Sequence, residues 1–502
     1  MESQPDNPKD LRKVALIGGA SLTLGLIFNN LFYEKIPGLG FLAYILLVII
    51  GLFIISSAVK KELSGEARWL LIPVFFFSAM VFVRASVMLI FLNIIGVILL
   101  LLVIAALSHG ERLRAYLLGD YFKVLVLPIR FFAPLFATNA ALMSLFRANK
   151  DQETMSQIKN GIAITIPFIL IFILLFSSAD LIFQKYLLQI FDFEPDLMSR
   201  LFWIALATCA FTGSYSYIFD TEQTVKEKLQ AQNTRYKIGH IENSILFGSV
   251  NVLFLIFIFV QFTYLFGGES NITAQGFTYA EYARKGFGEL VAVAIISLLL
   301  LLTMDHYART AESEHTIGFK MLSTALIVQV TLIMASAFMR LLLYEQAYGF
   351  TTLRLYSHSF VIWLALVFLF VLFKINFDKR DNTFAFRTFI SMIMFLAFMN
   401  FLNPDSFIAK RNIERYHLTG ALDIDYLNSL SDDAIPELMK ALENADGYAL
   451  LPLNQKLSRR YSNRMKSSYY QGWQSMNLSR MQAEDILRVK IEELDSLKPD
   501  DQ

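Results

Sequence analysis

Long apolar runs without charge constrain this chain more than any other feature. Residues 39–59 contain no charged side chain at all. A helix needs roughly 20 consecutive apolar residues to cross a bilayer's hydrocarbon, and a water-soluble fold has no way to hide so many runs of that length. The runs predict spans at 14–32, 39–59, 69–83, 85–108, 162–183, 201–219, 245–266, 287–304, 317–339, 355–373 and 388–402. The expected fold is therefore all-α, a polytopic transmembrane bundle of about eleven spans. A soluble domain carries about 25% charged residues, whereas here only 17% are charged. The deficit spares the C-terminal hundred residues, which read as a small, mostly helical tail.

Residues 69–108 require a turn. As one helix they would extend about 60 Å at 1.5 Å per residue, twice the hydrocarbon thickness. Arg84 is their only charge inside the run. Arginine costs several kcal/mol at the bilayer centre and little at the interface, so the chain is expected to double back there.

Lysine and arginine set the orientation. With a cytoplasmic N-terminus, the inner segments hold 23 of the 44 basic residues, the outer segments 8 and the tail 13. Residues 122–146 are apolar enough to suggest another crossing, but they include Pro128, Arg130 and Pro134. A crossing there evens the tally to about 15 against 15 and removes the orientation signal. The segment is therefore read as interfacial or re-entrant on the cytoplasmic face. The resulting plan is a cytoplasmic N-terminus at 1–13, four spans within 14–108 and a cytoplasmic or interfacial stretch at 109–160. Seven spans follow within 161–402, and an extracytoplasmic tail occupies 403–502. Leu11-Arg12-Lys13 precedes the first run without a small-residue cleavage site after it, so that run is read as a retained span.

Several strings resemble a family of bacterial multi-pass membrane proteins. They are Ser178-Ala179-Asp180, Tyr264 to Gly268, TYAEYARKGFGEL at 278–290 and SAFMRLLLYEQAYGFTTLRLY at 336–356. The tail adds NPDSFIAKRNIER at 403–415, LDIDYLNSLSDDAIPEL at 422–438 and GWQSMNLSR at 472–480. The family resembled is catalogued as domain of unknown function 4173, with a close relative numbered 4153. The resemblance covers residues from about 161 onward and implies a location in the bacterial inner (cytoplasmic) membrane. It implies no activity, cofactor or catalytic residue.

The richest polar cluster is Arg340, Tyr344, Glu345, Tyr348, Thr351 and Arg354. On a helix Arg340, Tyr344 and Tyr348 share one face, and Gly349 is expected to break that helix at the outer interface. Guanidinium groups bind phosphate or carboxylate in a bidentate fork, so the cluster suits a lipid headgroup or an anionic solute. The same residues also fit snorkelling arginines, an interfacial tyrosine belt, and an Arg340–Glu345 or Arg354–Glu345 pair. Arg284 and Lys285 lie in an outer loop against the charge bias, beside an amphipathic stretch that is equally an interfacial helix. Asp180 closes a span near the outer face, as a candidate polar membrane residue or as a helix-end residue.

Other chemistries lack equipment. There is no phosphate loop, nucleophile elbow or His-Glu-x-x-His zinc helix. Asp305, His306 and His315 match no metal-ligand spacing. The one cysteine, Cys209, excludes an intrachain disulfide. No catalytic residue, cofactor or metal is expected, and the net charge of +1 gives no pull toward nucleic acid. The expected partners are the lipid bilayer, an anionic lipid or solute, and an extracytoplasmic protein meeting the tail. Polar residues within spans, Asn93, Asn251, Gln261, Gln329 and His358, suit a transporter or permease. The apparent lack of mid-membrane acids suits a scaffold or signalling protein equally. An enzyme acting on a lipid-linked substrate is the third class.

Overall fold

The structure is a computed structural model that describes residues 8–145, 180, 195–219, 240–265, 287–311, 317–378, 380–444, 451–465, 467–470 and 472–496. The described residues contain no strand. Eleven of their helical stretches are long and apolar enough to cross a membrane. Ten coincide with expected spans. The expected span at 162–183 lies outside the described residues, and the eleventh stretch, Leu118–Leu142, is one the sequence argues against as a crossing.

The chain divides into two compact units. The first comprises residues 1–36, 40–64 and 126–222. It contains α1 (Pro8–Phe32), most of α2 (Leu39–Val59), α6 (Phe132–Leu145) and α7 (Pro195–Phe219). Helices α1 and α7 lie antiparallel along their length. At one end Lys13 Nζ donates to the Phe219 carbonyl at 2.9 Å, and at the other Tyr33 Oη donates to Asp196. Gly25 makes this approach possible, because a Cβ there would stand 2.1 Å from Thr208 Oγ1.

Helix α6 meets this pair in a different way. The Phe131 carbonyl, just before α6, lies 2.8 Å from where a Cβ on Gly213 would sit. Thr138 bonds Ser216 at 2.7 Å, and Leu142 packs on Gly18. Gly213, Ser216 and Gly18 all lie within about two turns of the Lys13–Phe219 contact. Phe131 and Leu142, roughly 16 Å apart along a helix, thus sit at similar depth. That geometry is an oblique passage over one end of the α1–α7 pair. Length and composition alone therefore overstate Leu118–Leu142 as a crossing.

The second unit comprises residues 37–39, 65–125 and 223–502. It holds α3 (Gly65–Val83), α4 (Val87–Leu107), a 3-10 turn at Leu113–Ala115 and the start of α5 (Leu118–Arg130). Helices α8 (His240–Leu265), α9 (Phe287–Ala311), α10 (Ile317–Tyr348), α11 (Thr352–Asn376) and α12 (Asp381–Leu402) follow. Helix α3 ends at Val83 and α4 starts at Val87, so the reversal falls at Arg84 as its cost in hydrocarbon requires. Phe247, Leu301, Leu326, Val330, Phe368 and Val371 form the main apolar core of α8 to α11. Inside the bundle, Asn93 and Asn400 exchange two amide hydrogen bonds, each 2.8 Å, linking α4 to α12.

Residues after 403 are helical as expected, but they belong to this same unit. They form α13 (Pro404–Thr419), α14 (Ile424–Ser429), α15 (Ile435–Asn444), α16 (Leu451–Met465) and α17 (Leu478–Ser496). Asn403, with φ +51°, turns the chain out of α12, and Pro404 starts α13 where its missing N–H costs nothing. Ile408, Leu427, Leu438, Leu457 and Leu487 build a core that also takes in Leu355 of α11. The tail thus packs against the ends of the long helices.

Candidate functional site

A helix reversal leaves its last carbonyls and the next helix's first amides without partners. Tail side chains bond main-chain groups at two such turns in this unit. At the α3–α4 turn, Asp433 Oδ2 accepts from the amides of Ala85 and Ser86, both at 2.8 Å. Asn477 Nδ2 donates to the carbonyls of Val81 and Arg84 at 3.1 and 2.8 Å, and Ser479 Oγ donates to Val83 at 2.8 Å. At the α10–α11 turn, Arg415 donates to the carbonyls of Gln346 (3.1 Å) and Ala347 (2.6 Å). Asn412 brackets Phe350, accepting from its amide at 2.7 Å and donating to its carbonyl at 2.9 Å. Gly349 has φ +82°, and a Cβ there would lie 2.6 Å from Asn412 Oδ1, so glycine is required on two grounds. These bonds put both turns and the tail at one end of the unit.

The sequence-derived cluster sits at that end. Helix α10 continues to Tyr348, so Arg340, Tyr344, Glu345 and Tyr348 are all helical, and Gly349 breaks the helix as expected. Arg340 is only 6% exposed, and its Nη2 donates to Gln261 Oε1 of α8 at 2.6 Å. Ser336 donates to the same oxygen at 3.0 Å. One turn further along, the Tyr344 ring lies beneath the Arg354 guanidinium, with the carbon 4.1 Å from the ring centroid. Arg354 Nη1 also donates to the Gly349 carbonyl, and Tyr348 packs on Tyr344 with ring centroids 5.0 Å apart. Thr351 caps α11 by accepting from the Arg354 amide. Arg340, Tyr344, Tyr348 and Arg354 are thus brought together.

Glu345 is not part of that face. Five residues from Arg340, it points about 140° round the helix. There it is 1% exposed and meets His358 Nδ1 of α11 at 3.2 Å. His358 Nε2 faces the Phe338 carbonyl at 3.3 Å. Asp180 is exposed. Arg284 and Lys285 lie outside the described residues.

The opposite end carries a second charged group. Lys374 Nζ of α11 is 2.7 Å from both Asp305 of α9 and Asp381 of α12. Asp305 and Lys374 are buried, so the bundle does hold ionisable groups facing inward, although near its two ends. The sequence flagged His358 and Gln261 as polar residues inside spans but offered no signal for their partners. Asn412, Arg415 and Asp433 went unrecognised because their partners are main-chain atoms of distant turns. No group of three or more metal-ligating side chains occurs among the described residues.

A family model described as Domain of unknown function (DUF4153) matches residues 71–441. The resemblance puts 4173 first with 4153 as its relative, and the match is to 4153. It also starts well before residue 161, where the resemblance begins, and it stops short of α16 and α17. No curated protein and no solved structure matches the chain.

Proposed function

The chain belongs to the DUF4153 family, and from that premise and the geometry of α10 and α11 we propose a transporter-like or permease-like membrane protein that handles an anionic group. The group is a phospholipid headgroup or an anionic solute, received at the outer surface of the bacterial inner membrane. In this reading the N-terminus is cytoplasmic and the tail extracytoplasmic, as the distribution of lysine and arginine favours.

One observation carries the proposal: the buried Arg340 stands one helical turn from Tyr344, whose ring a second guanidinium, that of Arg354, covers at the helix end. Arg340 has lost most of its hydration and is held by Gln261, so an anion reaching this end of α10 meets a positive charge screened by little water. The stacked Arg354 has its plane set by Tyr344, which reduces the entropy lost on binding. Inward-facing ionisable groups near both ends of α11, Glu345 with His358 and Asp305 with Lys374, suit a carrier that handles charge.

The test is native mass spectrometry of the purified protein with phosphatidylglycerol, phosphatidylethanolamine or inorganic phosphate. A charge-assisted bond contributes about 1.5–3 kcal/mol, so each lost arginine should weaken anion retention roughly ten- to a hundredfold. Phosphatidylglycerol retention above phosphatidylethanolamine points to a headgroup, and phosphate retention alone points to a solute. Equal retention of every ligand by wild type and the Arg340→Ala/Arg354→Ala variant refutes the site. The scaffold reading, in which the tail meets an extracytoplasmic protein, draws on the half-exposed Tyr469 and Trp473. Its mark is a partner lost with Trp473→Ser while anion retention is untouched.

A further inference from the structure

Helices α3 and α12 enclose a groove of about 920 Å³ on the flank of the second unit. Its walls are Trp69, Ile72 and Phe76 of α3 and Ile390, Met394 and Ala397 of α12. Phe77 and Leu70, both buried, form the floor. One end is closed where the Phe76 and Phe401 rings meet, 5.6 Å between centroids. The other end is crossed by the 3-10 turn at Leu113–Ala115, which is strapped to both walls. Glu66 of α3 accepts from the Leu113 amide, and Asn382 of α12 donates to the Arg114 carbonyl at 2.8 Å. The strap holds the Arg114 guanidinium over the Phe386 ring, 5.6 Å from its centroid, at the mouth of the groove.

We infer that this groove holds an acyl chain of an anionic phospholipid whose headgroup lies against Arg114. Three features fix the occupant. From Phe386 to Phe401 the α12 wall rises about 22 Å at 1.5 Å per residue, more than half of the roughly 30 Å hydrocarbon thickness. An extended chain from the leaflet at the Arg114 end fits that depth, whereas a compact solute does not. The walls are made of helices that are themselves candidate spans, so hydrocarbon is the medium they face. At the mouth Arg114 is exposed, the exposed Arg112 lies two residues before it, and the one acid of the lining, Glu66, is turned to the Leu113 amide.

The charge at the mouth is what makes the occupant specific. Lipid tails are as apolar as leucine, so within a bilayer an apolar groove alone gains little from one lipid over another. Discrimination falls to the headgroup, where each nearby arginine favours an anionic lipid by about 1 kcal/mol, roughly fivefold. The site is distinct from the Arg340–Arg354 cluster, which lies at the other end of the second unit.

Photo-crosslinking tests this directly. The chain carries p-benzoylphenylalanine in place of either Met394, which lines the groove, or Met392, which is exposed on the same helix but does not. Each is reconstituted in vesicles of one part phosphatidylglycerol to four parts phosphatidylethanolamine, and the crosslinked lipid is identified by mass spectrometry. The expected result is a several-fold excess of phosphatidylglycerol over its vesicle fraction at 394 and bulk composition at 392. Arg114→Gln/Arg112→Gln should return position 394 to bulk composition. Ala397→Trp, which fills the groove with both arginines in place, should reduce crosslinking at 394 itself. Bulk composition at both positions in the wild type overturns the inference, as does an excess equal at both or one that survives both variants. The Arg340→Ala/Arg354→Ala variant should leave the result at 394 unchanged, so this site and the outer one fail separately.

Discussion

Replacing Asp433 probes how the tail is held to the long helices. Its carboxylate side chain is fully buried, and Oδ2 takes the amides of Ala85 and Ser86 at the start of α4. Ser86, at the N-cap position, provides no side-chain cap, and Asp433, more than 300 residues away, fixes the two amides that lead into α4. Asp433→Ala leaves both amides unpaired at about 1–3 kcal/mol each, and since neighbouring losses are not additive the total is about 3 kcal/mol. Local opening of the α3–α4 turn should rise roughly a hundredfold, at 1.4 kcal/mol per tenfold. Hydrogen exchange at Ala85, Ser86 and Val87 in the purified protein measures it.

Asp433→Asn should behave otherwise. Burial pushes the Asp433 carboxyl above its ordinary value of 3.8, against the pull of Ser479, the two amides and Arg84. The bonding agrees with that direction. Ser479 has one hydroxyl proton and faces both the Val83 carbonyl and Asp433 Oδ1. A protonated carboxyl donates to Ser479 and leaves that proton for Val83, and an asparagine amide does the same. The folded state therefore binds the proton more tightly than the unfolded state does. Its contribution is fully present below the ordinary value and is lost as pH rises through the raised one. Exchange at Ala85 and Ser86 should slow as pH falls from neutral into that window, after correction for the intrinsic pH dependence of exchange. Asp433→Asn should match the wild type within about 1 kcal/mol and lack that dependence. Exchange in Asp433→Ala within threefold of wild type refutes the role of Asp433 in holding the turn.

Asn93→Leu and Asn400→Leu should each lower thermal stability in detergent by about 1 kcal/mol, while the double variant recovers part of the loss, since intramembrane hydrogen bonds average about 0.6 kcal/mol and an orphaned partner costs more. Lys374→Met leaves Asp305 and Asp381 facing one another and should cost about 3–5 kcal/mol, read as a lower melting temperature that Lys374→Met/Asp305→Asn partly restores. Gly349→Ala must adopt a left-handed conformation and displace Asn412, at about 1–3 kcal/mol, and should make the α10–α11 turn more sensitive to limited proteolysis.

Much of the membrane architecture was legible because hydrocarbon imposes a length and a composition on every crossing. Arg84 marked its turn through its desolvation cost, and Gly349 marked the end of α10. Residues 118–142 show the limit of that reasoning. They are long and apolar enough to cross, yet Phe131 and Leu142 sit at similar depth on α1 and α7. Of the candidate site, the Arg340–Tyr344–Tyr348 face followed from helical spacing. The partner of Glu345 did not, since His358 is brought to it by the reversal at Gly349 and no local pattern announces the pair. Tail side chains that bond main-chain atoms, such as Asn412 and Asp433, leave no mark in a sequence, because every residue offers the same amide and carbonyl.

The Arg340–Arg354 cluster and the tail share one end of the second unit, so the side of the membrane they face decides whether an outer site exists. The chain's single cysteine makes that measurable. In a Cys209→Ser background, Leu418→Cys, 87% exposed on the tail, and Phe377→Cys, 77% exposed at the α11–α12 turn, report the two ends. A membrane-impermeant maleimide applied to spheroplasts should label position 418 and reach position 377 only after permeabilisation. Labelling of 377 in intact spheroplasts, with 418 protected until they are permeabilised, contradicts an outer site.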